Sequence, residues 1–93
     1  MDTFETTVEI NRERVEEILS RFTLPDEIER IDTTYGSDHT GDSAVFLTFH
    51  VKDEAKIDRN DVQRLSAFLS EVTSALLNGG IAGFAYTRLE QAA

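Results

Sequence analysis

The sequence predicts an α+β protein built as a two-layer sandwich, with helices against one face of a sheet. Three observations carry this. Residues 44–51 alternate at period two, Val45, Leu47, Phe49 and Val51 against Ala44, Phe46, Thr48 and His50, with many β-branched and aromatic side chains. Two other stretches space their apolar residues three and four apart, as amphipathic helices do. Glycine, proline and aspartate stand between the periodic segments, where turns need them.

Residues 3–10 (TFETTVEI) alternate weakly and read as a half-buried first strand, or as a frayed terminus. Asn11 follows as a helix N-cap, with Ile10 and Val15 at the two positions of a hydrophobic staple. Val15, Ile18, Leu19 and Phe22 form the apolar stripe, and Pro25 ends the helical region. Residues 26–35 (DEIERIDTTY) fit a strand better than a helix. The loop 36–42 then turns the chain into the strand over 44–51, closing a hairpin. That strand is apolar on both faces, so it belongs at the centre of the sheet.

Residues 52–56 are a polar break. Asp58 is a second N-cap, again with staple residues, Ile57 and Val62. Val62, Leu65, Leu69, Val72 and Leu76 mark a long helix, widened by Phe68, Ala75 and Leu77 and stopped at Gly79-Gly80. Residues 81–89, with Phe84, Ala85, Tyr86 and Leu89, read as the last strand, and 90–93 as a tail. The order is β-α-β-β-α-β, the ferredoxin-like or split βαβ pattern, with both helices on one face of a four-stranded antiparallel sheet. Without the first strand it shortens to α-β-β-α-β.

Ninety-three residues suit a single domain with one modest core. Acidic residues outnumber basic ones eighteen to nine, for a formal charge of −9. That balance argues against nucleic-acid phosphate and anionic membrane surfaces as partners. There is no cysteine, so disulfides and thiolate metal sites are excluded. The acidic start, Met1-Asp2-Thr3-Phe4-Glu5, has no apolar core of a signal peptide, and no run reaches membrane-spanning length; the expected compartment is the cytoplasm.

Two groups of residues could carry function. The polar loop gathers Tyr35, Ser37, Asp38, His39 and Asp42. Two carboxylates and an imidazole so close together could serve acid–base or hard-metal chemistry; the same residues also build Asx turns at a hairpin tip, and the ligand spacing of an EF-hand loop is missing. The second group is Phe46 and His50 on the outward face of the central strand, together with one face of the last strand (Phe84, Tyr86, Arg88). Such aromatics can stack on bases, but the basic flanks and motif of an RNA-recognition sheet are absent. A covering protein chain is the better reading.

Tyr35-Gly36-Ser37, then Gly41 and the run Asp42-Ser43-Ala44-Val45-Phe46-Leu47, resembles minimal nucleotidyltransferases, whose Gly-Ser pair precedes an Asp-x-Asp metal pair. Here Ala44 stands where the second acid would be, and the segment between is too short for that family's helix, so this resemblance implies a degenerate relative without a working metal pair. Over its whole length the chain is similar to a group of short, uncharacterised bacterial proteins. They share an amphipathic helix, an E-Y-G-x-D-x-x-G-D-x-A-like turn into an apolar strand, a second helix and a closing G-I-x-x-F-x-Y. The matching stretches here are residues 32–44 (DTTYGSDHTGDSA) and 80–86 (GIAGFAY), with Thr34 in place of the acid. That group is often encoded beside helical HEPN-domain proteins in a toxin–antitoxin-like arrangement, which implies a protein partner.

The resulting expectation is a non-enzymatic binding module without cofactor or metal. It would act as a homodimer or as the acidic partner of a helical protein. The alternatives are a nucleotidyltransferase-like or metal-dependent enzyme using Asp38, His39 and Asp42, and a small-ligand sensor, which rests on fold analogy.

Overall fold

The computed structural model describes residues 9–52 and 56–91. The strand expected over 3–10 falls almost entirely outside the described residues; Glu9 and Ile10, which are described, lie in neither helix nor strand. The elements are α1 (Arg12–Leu19), β1 (Ile28–Ser37), β2 (Ser43–Val51), α2 (Arg59–Leu77) and β3 (Phe84–Gln91). The protein is α+β, with two helices and a three-stranded sheet in the order β1-β2-β3 among the described residues.

Asn11 caps α1, its side chain accepting a hydrogen bond from the Arg14 N–H at 3.1 Å. Its own N–H donates to the Ile81 carbonyl at 2.7 Å, tying the start of α1 to the approach to β3. The helix is shorter than its apolar stripe, because bonds from Arg21 N–H to Ile18 and from Phe22 N–H to Leu19 tighten the chain into a turn. Phe22 still packs on the core from that turn, its ring edge-on to Phe68 at 6.0 Å. β1 begins two residues later than expected. The Ile28 N–H bonds back to the Pro25 carbonyl, so Asp26 and Glu27 belong to a turn.

β1 and β2 form the expected antiparallel hairpin, in register from Arg30↔His50 to Ser37↔Ser43. The inward side chains of β2, Val45, Leu47, Phe49 and Val51, are all buried. They join Val15 and Ile18 of α1 and Leu65, Leu69, Val72 and Leu76 of α2 in one core, an arrangement compatible with two layers. Two residues assigned to the α2 stripe do not reach it: Val62 and Leu77 are about half exposed, on the margins of the apolar face.

The expectation that every strand pairs antiparallel is corrected. β2 and β3 are parallel, paired from Ala44↔Phe84 to Val51↔Gln91. The nineteen-residue α2 makes the crossover that parallel neighbours require, and it packs on β3. A split βαβ order places another strand between the parallel pair. Here the two strands bond directly, so the described residues show the shorter order, α-β-β-α-β. β3 also starts later than expected, because Ala82 takes a left-handed φ of 61° and the backbone turns before Phe84. At its other end β3 runs through Glu90 and Gln91, beyond the end expected at Leu89.

The cap of α2 is reciprocal. Asp58 accepts from the Asp61 N–H at 2.9 Å, and the Asp61 carboxylate accepts from the Asp58 N–H at 3.2 Å. Asp58→Ala is expected to lower stability by about 1 kcal/mol, read as a shifted denaturation midpoint with an unchanged slope.

Candidate functional site

Strand periodicity divides the sheet into two faces. Ile31, Thr33, Tyr35, Ala85, Thr87 and Leu89 lie on the helix side with the inward residues of β2, and their neighbours along each strand face away. The register arranges the outward residues in four rows across β1, β2 and β3: Gly36–Ala44–Phe84, Thr34–Phe46–Tyr86, Asp32–Thr48–Arg88 and Arg30–His50–Glu90. Phe46 and His50 therefore share this face with Phe84, Tyr86 and Arg88.

The two ends of the face differ in chemistry. At one end Phe46 and Tyr86 stack at 5.5 Å between ring centroids, 16° from parallel, and Phe84 and Tyr86 are exposed large hydrophobic side chains. Ala44 is fully buried beside them. An open depression of about 320 Å³ runs along this end, lined by Thr34, Phe46, Thr48, Tyr86 and Arg88. At the other end the charges are matched within the chain. His50 Nε2 lies 2.7 Å from Asp32 Oδ2 and its Nδ1 3.7 Å from Glu90. Arg30 Nε bonds to Asp32 at 3.3 Å, and Arg88 lies 3.7 Å from Glu90. The hydrogen bond from His50, then Arg30, holds the Asp32 carboxyl below its ordinary range.

The polar loop closes on itself. Asp38 Oδ1 accepts from the Thr40 N–H at 2.9 Å, the Thr40 hydroxyl at 2.7 Å and the Asp42 N–H at 3.0 Å. The Gly41 N–H bonds to the Asp38 carbonyl, and Gly41 has the positive φ, 87°, that such a turn takes most easily as glycine. This is an Asx turn that completes the hairpin. One bond leads out of it: the Tyr86 hydroxyl donates to Asp38 Oδ2 at 2.8 Å, joining the loop to the aromatic end of the face. The Thr40 hydroxyl first, then Tyr86, pull the Asp38 carboxyl well below the usual carboxylate range. The same bond to Asp38 pushes the Tyr86 phenol up.

The five loop residues do not form one cluster. Asp38 and Asp42 share the Thr40 hydroxyl, whereas His39 and Ser37 are exposed, and no hydrogen bond or ion pair joins His39 to another described residue. Tyr35 points to the helix side, one residue out of phase with the open face. Arg12 sits 4.4 Å above its ring, and its buried hydroxyl has no hydrogen-bond partner among the described residues. Burial, and then the charge of Glu16, raise its phenol. Among the described residues no three His, Asp or Glu side chains gather as metal ligands would.

Asp32 was missed as the partner of His50, along with Arg30 and Glu90 around it. The signal lay in the hairpin register. Counting pairs back from Ser37↔Ser43 brings Asp32 opposite Thr48, one step diagonally from His50. A second hollow, about 370 Å³ between the end of α1 and the inner side of β1, is lined mainly by Leu19, Phe22, Leu24 and Ile31.

The lowered carboxylates set the response to acid. Asp32, Asp38 and Asp61 bind protons less readily folded than unfolded, as do Glu17 and Glu27, which Arg14 and Arg64 hold. Below the unfolded values of about 4 the unfolded chain takes up more protons, so stability falls as pH falls through the folded values. Urea midpoints are expected to stay level from about pH 7 to about 5 and to drop below about 4. Asp38→Asn should shallow that drop.

Compared with family models, with curated proteins and with solved structures, the chain matches none. No helix among the described residues is long and apolar enough to cross a membrane.

Proposed function

We propose that this chain is a non-enzymatic protein-binding module that works through the open face of its sheet, as a homodimer or as the acidic partner of a helical protein in a toxin–antitoxin-like pair in the cytoplasm. The observation that carries the reading is the aromatic end of that face, where Phe46 stacks on Tyr86 and Phe84 and Tyr86 are exposed among the described residues, on a sheet whose other side is filled by the core. Apolar surface of this kind gains roughly 25 cal/mol for each Å² removed from water, before the costs of association. The acidic charge, −9, favours a basic protein over nucleic acid or an anionic membrane.

The rival reading, a nucleotidyltransferase-like or metal-dependent enzyme, needs Asp38, His39 and Asp42 to act together. Asp38 and Asp42 instead bond within a turn, which Asp38 ties to Tyr86 of β3. The test is sedimentation of the wild type and Phe46→Glu, alone and mixed with the product of the neighbouring gene. We expect association in the wild type and a loss of at least about tenfold in affinity for the variant, whose carboxylate would be buried unpaired. A wild type that remains monomeric and ignores that neighbour would overturn the proposal.

A further inference from the structure

We infer that the occupant of the open face is a single amphipathic helix with a basic rim, supplied by a partner protein and laid along the strands as a third layer. The inference rests on the docking role proposed above and adds what docks there.

Size is the first argument. From Ala44 to His50 the face runs about 20 Å at the usual strand rise, and its outer strands lie about 10 Å apart. A helix is about 10 Å across, and about 14 residues of it span 20 Å. The footprint is that of one helix. A second copy laid on this face would bring another charge of −9 against the first.

Architecture points the same way. β2 and β3 are parallel neighbours, and such pairs usually lie in sheets covered on both faces. On the open side β2 carries Ala44, already fully buried, and Phe46. A helix along the strands would complete the three-layer arrangement.

Charge chooses the rim. Arg30 and Arg88 are matched by Asp32 and Glu90 within the face, and the same two carboxylates flank His50. Beside the aromatic end, Asp38 and Asp42 have no cation partner among the described residues, though Asp38 is bonded to Tyr86. The unmatched charge is therefore negative and borders the apolar patch. Lys or Arg on the edge of a helix, with its apolar stripe over Phe46 and Phe84, satisfies both.

The probe is a synthetic helical peptide of about 16 residues, long enough to span the face. It carries a Leu/Phe stripe and a Lys/Arg rim, and its twin has Glu at the rim. Each is titrated into the full chain by amide NMR. The basic peptide is expected to shift Thr34, Phe46, Thr48 and Tyr86 with a Kd of roughly 10–100 μM, and the acidic twin to bind about tenfold more weakly or worse. Asp38→Asn with Asp42→Asn should narrow that preference. Phe46→Glu should abolish the shifts, as should Thr34→Glu, which alters an already exposed side chain and leaves the core untouched. No shifts on the face, or equal binding of both peptides, would overturn the inference. If the wild type instead self-associates in a Phe46-dependent way and ignores both peptides, the docking role stands and the helix inference fails. If neither happens, both fail.

Discussion

Phe49→Ala is expected to lower the free energy of unfolding by about 3–5 kcal/mol, the largest effect of any single truncation considered for this chain. Phe49 is fully buried on β2, the central strand, and its ring meets Phe68 of α2 edge-on at 5.8 Å. It thus joins sheet and helix layer at the middle of the core. Removing the ring forfeits its transfer energy. It also leaves a void bordered by β-strand backbone and a long helix, neither of which can easily collapse into it. Urea denaturation followed by circular dichroism measures the change directly. A loss below about 1 kcal/mol would show that the inward face of β2 is wrongly assigned.

Gly79→Ala is the second, expected to destabilise by about 1–3 kcal/mol through overpacking. A Cβ at this position would collide with Ile18 Cδ1 and lie 2.8 Å from the Ala75 carbonyl oxygen. The Ile18 methyl can swing aside at the expense of its packing in the core. The carbonyl belongs to the last turn of α2 and cannot move without loosening it. Arg14 Nε also donates to the Gly79 carbonyl at 2.7 Å, so the bend where α2 ends is held from α1 as well. Thermal melts of this variant beside Gly80→Ala separate steric crowding from backbone strain. Gly80 has a positive φ of 74° and nothing within 4 Å of an added Cβ. A Gly79→Ala protein as stable as the wild type would contradict the close approach of α1 to the end of α2.

The parts of this fold that were legible in the sequence are those set by local periodicity and capping. The alternation of Val45, Leu47, Phe49 and Val51 marks the buried face of β2 because a strand has a strict period of two. Asn11 and Asp58 cap the helices they were assigned to. The hairpin and its tip follow from the glycines and aspartates of the loop. What was misread depends on distant partners. Periodicity reports which side of a strand is buried and is silent on which strand lies beside it, so the parallel pairing of β2 with β3 was hidden behind the expected first strand. Val62 shows the same limit in a helix, since a residue at the margin of a stripe is buried only where a neighbour reaches it.

The candidate site divides along the same line. Phe46 and His50 could be placed on one face from the strand pattern alone. The bond between His50 and Asp32 required the register, and the link from Tyr86 to Asp38 required the neighbouring strand. Tyr35 is close to the loop in sequence, yet strand phase turns it to the helix side beneath Arg12.

Site-specific photo-crosslinking tests whether the Phe46–Tyr86 face docks a protein. A photoreactive phenylalanine analogue is placed at Tyr86 or Phe84 on the open face, and at Val62 on the exposed margin of α2 as the control. One discrete adduct is expected from positions 84 and 86, lost on adding Phe46→Glu, and none from position 62. Equal labelling from all three positions, or adducts from position 62 alone, would contradict docking at this face.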